Sequence, residues 1–551
     1  IYSVSYGRRI LPALGLGAGY HSVQGSPVWD AGMLLRPSRF MSLGARAWDI
    51  MRMPSYSFGL ALRPLGFSST LEDRLTVSAD YKDGNGPRSW LFGASVEPIR
   101  GVILLASMEE FIQSSERSIF HVGLEINFSR FGLGSFSRVL RAEGYDGQVS
   151  SVRLSQAQWP TALTPRGRYV ALEIEGELPE QAPARFLLGK RGLSHLDVIR
   201  AIERAGQDPS VKGLLVTIKN TDMGIGKVQE LRDSLLLFRG RGKKVISYIV
   251  DSGTKGYYLA SAGDEILMNP LSHLDLVGLY ARALFFQETL KKVGLEFQFE
   301  RKGRFKSYPE SFTERKMSPE HREEVESILT DIYDQMAREI SEERKMPLED
   351  LRRRIERGPY VADEAIKEGL VDQLIYEDEL RERIGRRNIL DVRGYSQALL
   401  KPRSFRAPSR ITVLYISGMI AEGKSFSSPL GEVSGSATIS EAIREAREDS
   451  QVAAIILRVN SGGGSVMASE EIRREVVLTK GKKPVIVSMG DMAASGGYFL
   501  ACPGDTLLAE SGSLTGSIGV FGGKLSLEGL LRKLGIDVEV VKRGKHADVY
   551  S

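Results

Sequence analysis

The sequence predicts two architectures in one chain: an all-β segment first, then an α/β region made by tandem duplication. Three observations carry this. Residues 1–145 are rich in Gly, Ser and aromatics and break into short stretches that alternate apolar with small or polar residues, the period of a strand. From residue 168 onward, β-branched runs alternate with helical patterns, which implies a mainly parallel sheet with crossover helices. That second region also repeats itself along the chain.

The bulk properties narrow the classes. A chain of 551 residues is long enough for about three domains. Its 26% charged and 42% hydrophobic content is an ordinary globular balance, and a net charge of +5 gives nucleic-acid binding no support. A single cysteine, Cys502, excludes an internal disulfide framework and a cysteine-rich metal site. Cys502 itself reads as a small core residue. No apolar run reaches the roughly 18 residues of a membrane-spanning helix. The chain opens on Ile1, so a signal peptide is expected to lie outside this numbering.

In the first segment, "DGNG" at 83–86 predicts a hairpin turn. A weak repeat, "GMLLRPS" at 32, "GLALRPL" at 59, "GASVEPI" at 93 and "GLEINFS" at 123, has spacings that suit one two-strand hairpin each. Eight or so strands can be counted. Strands of about ten residues with alternating faces and aromatic ends suit a transmembrane β-barrel, and the texture resembles porin-like outer-membrane proteins. A soluble barrel or sandwich has the same period.

The duplication is sharper. "YVALEIEGEL" (169–178) matches "ITVLYISGMI" (411–420), "VKGLLVTIKN" (211–220) matches "VAAIILRVNS" (452–461), and "KGYYLASAGDEILMNP" (255–270) matches "GGYFLACPGDTLLAES" (496–511). Thr254 and Ser495, 241 residues apart, fall opposite each other, as do Lys306 and Ala547. The expected order is a β segment 1–145, a linker 146–167, a first repeat 168–385, a basic linker 386–409 with a charged helical stretch at 319–357 before it, and a second repeat 410–551. The first repeat runs past the point where the second stops, so the second reads as incomplete at its C-terminus.

One serine stands out. In "GDMAASGGYFLAC" (490–502), Ser495 sits among small residues where a strand hands over to a helix. In isolation it reads as a helix cap. Upstream, "RVNSGGGSVMASEE" (458–471) is another strand, glycine turn and helix, and the N–H groups of Gly463 and Gly464, with Gly496, suit an oxyanion hole. Turns of neighbouring βα units can face one crevice. A nucleophilic serine needs a base. Only His546 follows Ser495, and no carboxylate is seen to orient it. A desolvated lysine would serve, and Lys306 in "RKGRFKSYPESF" (301–312) is one candidate among many.

Residues 168–551 resemble the protease IV family in its tandem-repeat form, the bacterial signal peptide peptidases A. The resemblance rests on "GDMAASGGY" at 490–498, "GRFKS" at 303–307, "LTGSIGV" at 514–520 and "VNSGGGS" at 459–465, where Gly462 replaces the family's proline. It implies the crotonase-like α/β fold shared with Clp protease, Ser495 as nucleophile, Lys306 as general base and Ser517 as the hydrogen-bond partner of the lysine amine. It implies remnant signal peptides or other extended apolar peptides as substrates, a bowl-like homo-oligomer, and no metal or organic cofactor. The duplication agrees: one repeat keeps the lysine without the serine, the other the serine without the lysine. The N-terminal segment is then expected to anchor the peptidase in the lipid bilayer of the bacterial outer membrane, facing the periplasm. Alternatives are a crotonase-fold acyl-CoA enzyme and a non-catalytic membrane scaffold.

Overall fold

The computed structural model describes residues 2–11, 13–23, 26–65, 73–84, 86–112, 118–141, 144–155, 159, 161, 167–182, 192–396, 409–428 and 431–549. The chain divides into two compact units, 1–165 with 397–410, and 166–396 with 411–551.

The first unit is one sheet of eleven strands in sequence order: β1 Tyr2–Leu11, β2 Leu14–Val23, β3 Ser26–Leu35, β4 Met41–Trp48, β5 Ser55–Leu62, β6 Leu75–Asp83, β7 Ser89–Ile99, β8 Val102–Phe111, β9 Ser118–Phe128, β10 Phe131–Leu140 and β11 Gly144–Leu154. Each pairs antiparallel with the next, and among the described residues no pairing joins β11 to β1. The "DGNG" turn lies in the β6–β7 hairpin, where Lys82 faces Ser89. The weak repeat marks the ends of β3, β5, β7 and β9, every second strand, so its period is one hairpin. Eleven strands exceed the eight or so expected, and β11 runs past residue 145. In "GYDGQVSSVRL" the apolar Tyr145, Val149, Val152 and Leu154 fall at irregular spacing, so no clean period-2 alternation marks this strand.

The faces of this sheet are inverted relative to a soluble one. In β5, Tyr56, Phe58, Leu60 and Leu62 point outward, Phe58 with 56% of its surface exposed, while Ser55, Ser57, Gly59 and Ala61 take the sheltered face. Val122 in β9 is 59% exposed. The sheltered face holds charges: Asp30 accepts from His21 and Arg46, and Glu109 accepts from Lys82 and Ser89. Among the described residues no helix is long and apolar enough to cross a membrane, which says nothing about crossing by strands.

The second unit contains both repeats. In the first, the parallel sheet runs Gln373–Leu374, Glu265–Met268, Lys244–Ile249, Val211–Thr221, Arg168–Gly176, Ile389–Asp391. Its central strands are continuous apolar runs because both faces are covered. Leu214, Val216 and Ile218 pack with Val198 and Ile202 of helix His195–Gln207, and with Val228 and Leu231 of helix Ile225–Gly240. Full burial of each such side chain is worth about 1.5–3 kcal/mol.

The second repeat repeats the plan. Arg410–Ala421, Val452–Gly464, Val485–Ala494 and Thr506–Leu508 neighbour one another in that order, with helices Val466–Thr479 and Gly496–Ala501 following the second and third strands. Val452–Gly464 and Val485–Ala494 run parallel, and Leu514–Gly516 extends the latter strand's pairing beyond Thr506–Leu508.

The repeats also exchange a strand pair. Glu296–Lys302 of the first pairs antiparallel with Val520–Ser526 of the second, Lys302 opposite Val520 and Phe299 opposite Gly523. Phe299 packs edge-on against Phe521, with ring centroids 5.6 Å apart. A Cβ on Gly523 would overlap the carbonyl oxygen of Gln298, so only glycine lets the strands approach this closely.

The stretch expected as the linker 146–167 begins inside β11, whose strand runs to Leu154 because it pairs with β10, and two further expectations are corrected here. Part of the stretch read as the linker 386–409 belongs to the fold: Ile389–Asp391 adds an edge strand beside Tyr169–Ala171, and helix Val392–Ser396 follows it. Residues 397–408 of that stretch lie outside the described residues. Cys502 is exposed rather than part of the core, because its short helix turns Gly496, Gly497, Leu500 and Ala501 inward and leaves position 502 on the other side.

Candidate active site

Ser495 stands where strand Val485–Ala494 stops and helix Gly496–Ala501 starts. Its backbone has φ 53° and ψ −118°, a conformation that side chains disfavour. Such strain costs of order 1–3 kcal/mol and persists only where the surroundings over-determine it. Here the Ser495 N–H donates to Gly516 O at 2.9 Å, and the Phe499 N–H donates to Ser495 O at 2.9 Å. The small neighbours give the turn room. The two glycine turns do meet: a Cβ on Gly463 would lie 2.9 Å from Ser495 Cβ and 2.6 Å from Gly496 N.

Lys306 reaches this turn from the other repeat, on the loop that follows strand Glu296–Lys302. Its Nζ lies 2.9 Å from Ser495 Oγ, 2.9 Å from Ser517 O and 3.3 Å from Ser517 Oγ. The residue is 3% exposed. Burial pushes the amine's pKa below its ordinary value of 10.5, and Glu324 opposes that only partly. An amine whose pKa burial lowers, in hydrogen-bond contact with a serine hydroxyl, has the geometry a serine needs beside a base. Ser517, at φ 45°, also holds a strained backbone and directs its carbonyl at the amine. Thus Ser495, Lys306 and Ser517, separate in the chain, come together.

The loop carrying the lysine is braced by residues that sequence reasoning did not single out. Arg301 Nη1 donates to Lys306 O at 3.1 Å and to Glu310 Oε1 at 2.7 Å. Buried Glu310 also accepts from the Ser318 hydroxyl and N–H, and bonds His321 Nδ1 at 3.1 Å. Burial would raise the Glu310 pKa, but the hydrogen bonds from Arg301, Ser318 and His321 outweigh it and hold the carboxyl below the usual range. The short interval from Lys306 to Glu310 was the available signal.

The glycines divide. The Gly463 N–H donates to Ser461 Oγ at 3.0 Å, and that hydroxyl donates to Gly418 O at 2.5 Å. The expected oxyanion donor at Gly463 is therefore engaged inside the turn, a consequence of the serine two residues earlier. Gly464 sits at the exposed lip of the turn, and Gly496 opens its helix, where first-turn N–H groups lack intrahelical partners. His546 lies exposed near the end of the described chain, and among the described residues no histidine hydrogen-bonds Ser495.

The first repeat's counterpart site is closed. Thr254 Oγ1, at the position that corresponds to Ser495, accepts from the Val277 and Gly278 N–H groups at 3.2 and 3.1 Å. The Lys255 ammonium caps Met223 O in the turn corresponding to Gly463 and Gly464.

Duplicated parallel α/β sheets that bring a strained serine against a buried lysine amine define a class, the α/β proteins carrying the side-chain geometry of a serine hydrolase. Residues 238–389 and 478–551 match the family described as Peptidase family S49. The chain is 31% identical over 401 residues to a chloroplastic serine protease SPPA of Arabidopsis thaliana, covering 71% of this chain and 59% of that protein. It is 31% identical over 435 residues to Protease 4 of Haemophilus influenzae, covering 74% of this chain and 67% of the relative. With Protease 4 of Salmonella typhi the identity is 31% over 417 residues, 70% of this chain and 66% of that one. The chain belongs to peptidase family S49. It spans between 59% and 67% of the length of these relatives.

Proposed function

We propose that this chain is a serine endopeptidase that works with a Ser495–Lys306 dyad. The observation that carries the reading is the 2.9 Å contact between Lys306 Nζ and Ser495 Oγ, made by a lysine that is nearly solvent-free. The neutral amine takes the hydroxyl proton as Ser495 Oγ attacks a peptide carbonyl. The N–H groups of Gly496 and Gly464, beside Ser495, are the donors proposed for the developing oxyanion. The ammonium then gives its proton to the leaving amine, the C–N bond breaks and an acyl-serine remains. Water, deprotonated by the same lysine, releases the acid. Ser517 holds the amine in line through its carbonyl and hydroxyl.

Extended apolar peptides, remnant signal peptides among them, are the proposed substrates, a reading that rests on the family. Anchorage in the outer membrane of a bacterial envelope is supported by the inverted faces of the eleven-strand sheet: apolar side chains outward, charges and glycines inward. Assembly into a homo-oligomer is supported by the duplication. Segments 279–285 and 537–543 correspond to the two strands that pair between the repeats. Neither forms a strand in the chain described, so a second copy would complete the pairing.

The test is reaction with a fluorophosphonate probe and hydrolysis of an apolar peptide by the full chain in detergent, compared with Ser495→Ala and Lys306→Ala. The reading requires both variants to lose both activities. Hydrolysis that survives Lys306→Ala would assign the base elsewhere.

A further inference from the structure

Asp491 stands four residues before Ser495 on the strand that delivers the nucleophile, and proton transfer does not use it. Its carboxylate crosses into the other repeat. The Lys227 N–H, in the first turn of helix Ile225–Gly240, donates to Asp491 Oδ1 at 2.8 Å. The Lys227 ammonium, itself 1% exposed, stands 3.7 Å from Oδ2. A Cβ on Gly224 would overlap this carboxyl, so the helix start is cut to receive it.

Across the duplication this helix corresponds to Val466–Thr479, the one that follows the Gly463–Gly464 turn beside Ser495. In the first repeat the same anion-favouring helix start is filled by a fixed carboxylate. The next turn of the helix holds the second segment of the site: Gln229 accepts from the Gly512 N–H at 2.7 Å. Ser513, four residues before Ser517, then donates to Gly490 O at 2.6 Å. One first-repeat helix thus grips both second-repeat segments, one ending at Ser495 and the other at Ser517.

We propose that Asp491 is a positioning residue: by capping helix Ile225–Gly240 across the repeats, it fixes the strained turn at Ser495 in the register that meets Lys306. The proposal rests on Ser495 being the nucleophile. It explains why an acid stands in "GDMAASGGY", where a strand leading to a small-residue turn has no local need of one.

The experiment uses the full chain in detergent with Asp491→Ala, Asp491→Asn and Gly224→Ala. Hydrogen exchange over 490–498 should quicken at least about tenfold in Asp491→Ala and stay unchanged over 413–420. Its kcat should fall by about 10–100-fold with KM within about threefold, the split expected when geometry at the reacting atom is lost. Asn keeps an acceptor for the Lys227 N–H, so Asp491→Asn should stay within about threefold of wild type. Gly224→Ala should reproduce the alanine phenotype with the carboxylate intact. Unchanged exchange in Asp491→Ala overturns the proposal. So does loosening spread over the whole repeat that Asn does not rescue, the mark of a merely structural role. If the wild type neither labels nor hydrolyses, the peptidase reading fails, and the exchange data alone still decide whether Asp491 holds the turn.

Discussion

Lys302 lies directly opposite Val520 in the strand pair that joins the two repeats. From that register the chain needs four residues to reach Lys306 and three, in the other direction, to reach Ser517. The 2.9 Å contacts of the lysine amine with Ser495 and Ser517 are set by this pairing rather than by either repeat alone.

The strand pair is therefore a point at which the site can be broken at a distance. Gly523→Ala should push Glu296–Lys302 away from Val520–Ser526, because the added methyl would overlap Gln298 O. A displacement near 1 Å at the lysine would cost on the order of 10²-fold in acylation. The rate of fluorophosphonate labelling of Ser495 measures this. Labelling at the wild-type rate would show that the lysine is held by its own loop.

Activity should rise with pH as Lys306 loses its proton, and should level off before the ordinary lysine value of 10.5, since burial lowers its pKa. A pH profile of kcat/KM reads this directly. Stability has a definite sign. Between the lowered folded pKa and 10.5 the unfolded chain holds the extra proton, so stability rises with pH through that window. Below the window the buried charge exacts its full cost. Lys306→Met should therefore abolish hydrolysis and raise the melting temperature at neutral pH.

Glu310 holds Arg301 and the N-terminus of helix Pro319–Arg344, so Glu310→Ala should free the loop that carries Lys306. Its folded pKa is depressed, so its stabilisation is present above the unfolded carboxylate value and lost as pH falls through the folded one. The variant should show a lower melting temperature at pH 7, with the difference from wild type shrinking toward acid pH. Thermal melts at several pH values check it.

The outward face of the first unit gives a discriminating substitution. Val122→Arg places a charge on the exposed face of β9. On the lipid face of a membrane barrel this costs roughly 2–4 kcal/mol near the midplane. On a soluble sheet an exposed substitution stays within about 0.5 kcal/mol. Urea unfolding of the folded chain in phosphatidylcholine vesicles separates the two. Indifference to the arginine would remove the membrane reading.

Much of the frame was legible because periodicity is a local property. The 241-residue repeat, the parallel strand runs and the β6–β7 hairpin follow from which side chains recur at which spacing, and short-range sterics enforce them. The serine turn was legible for the same reason: small residues around Ser495 are needed wherever a strained turn must stay uncrowded. The complementary loss of serine and lysine between repeats already pointed to one composite site. Residue spacing alone could not choose Lys306 among its lysines, because the desolvation that lowers its pKa exists only once Ser495, Ser517 and the joining strands close around it. Nor could it show that Ser461 engages the Gly463 amide, that Cys502 faces outward, or that Asp491 caps a helix 264 residues away in the chain. Those outcomes depend on which surfaces meet, and long-range contacts leave no period in the sequence.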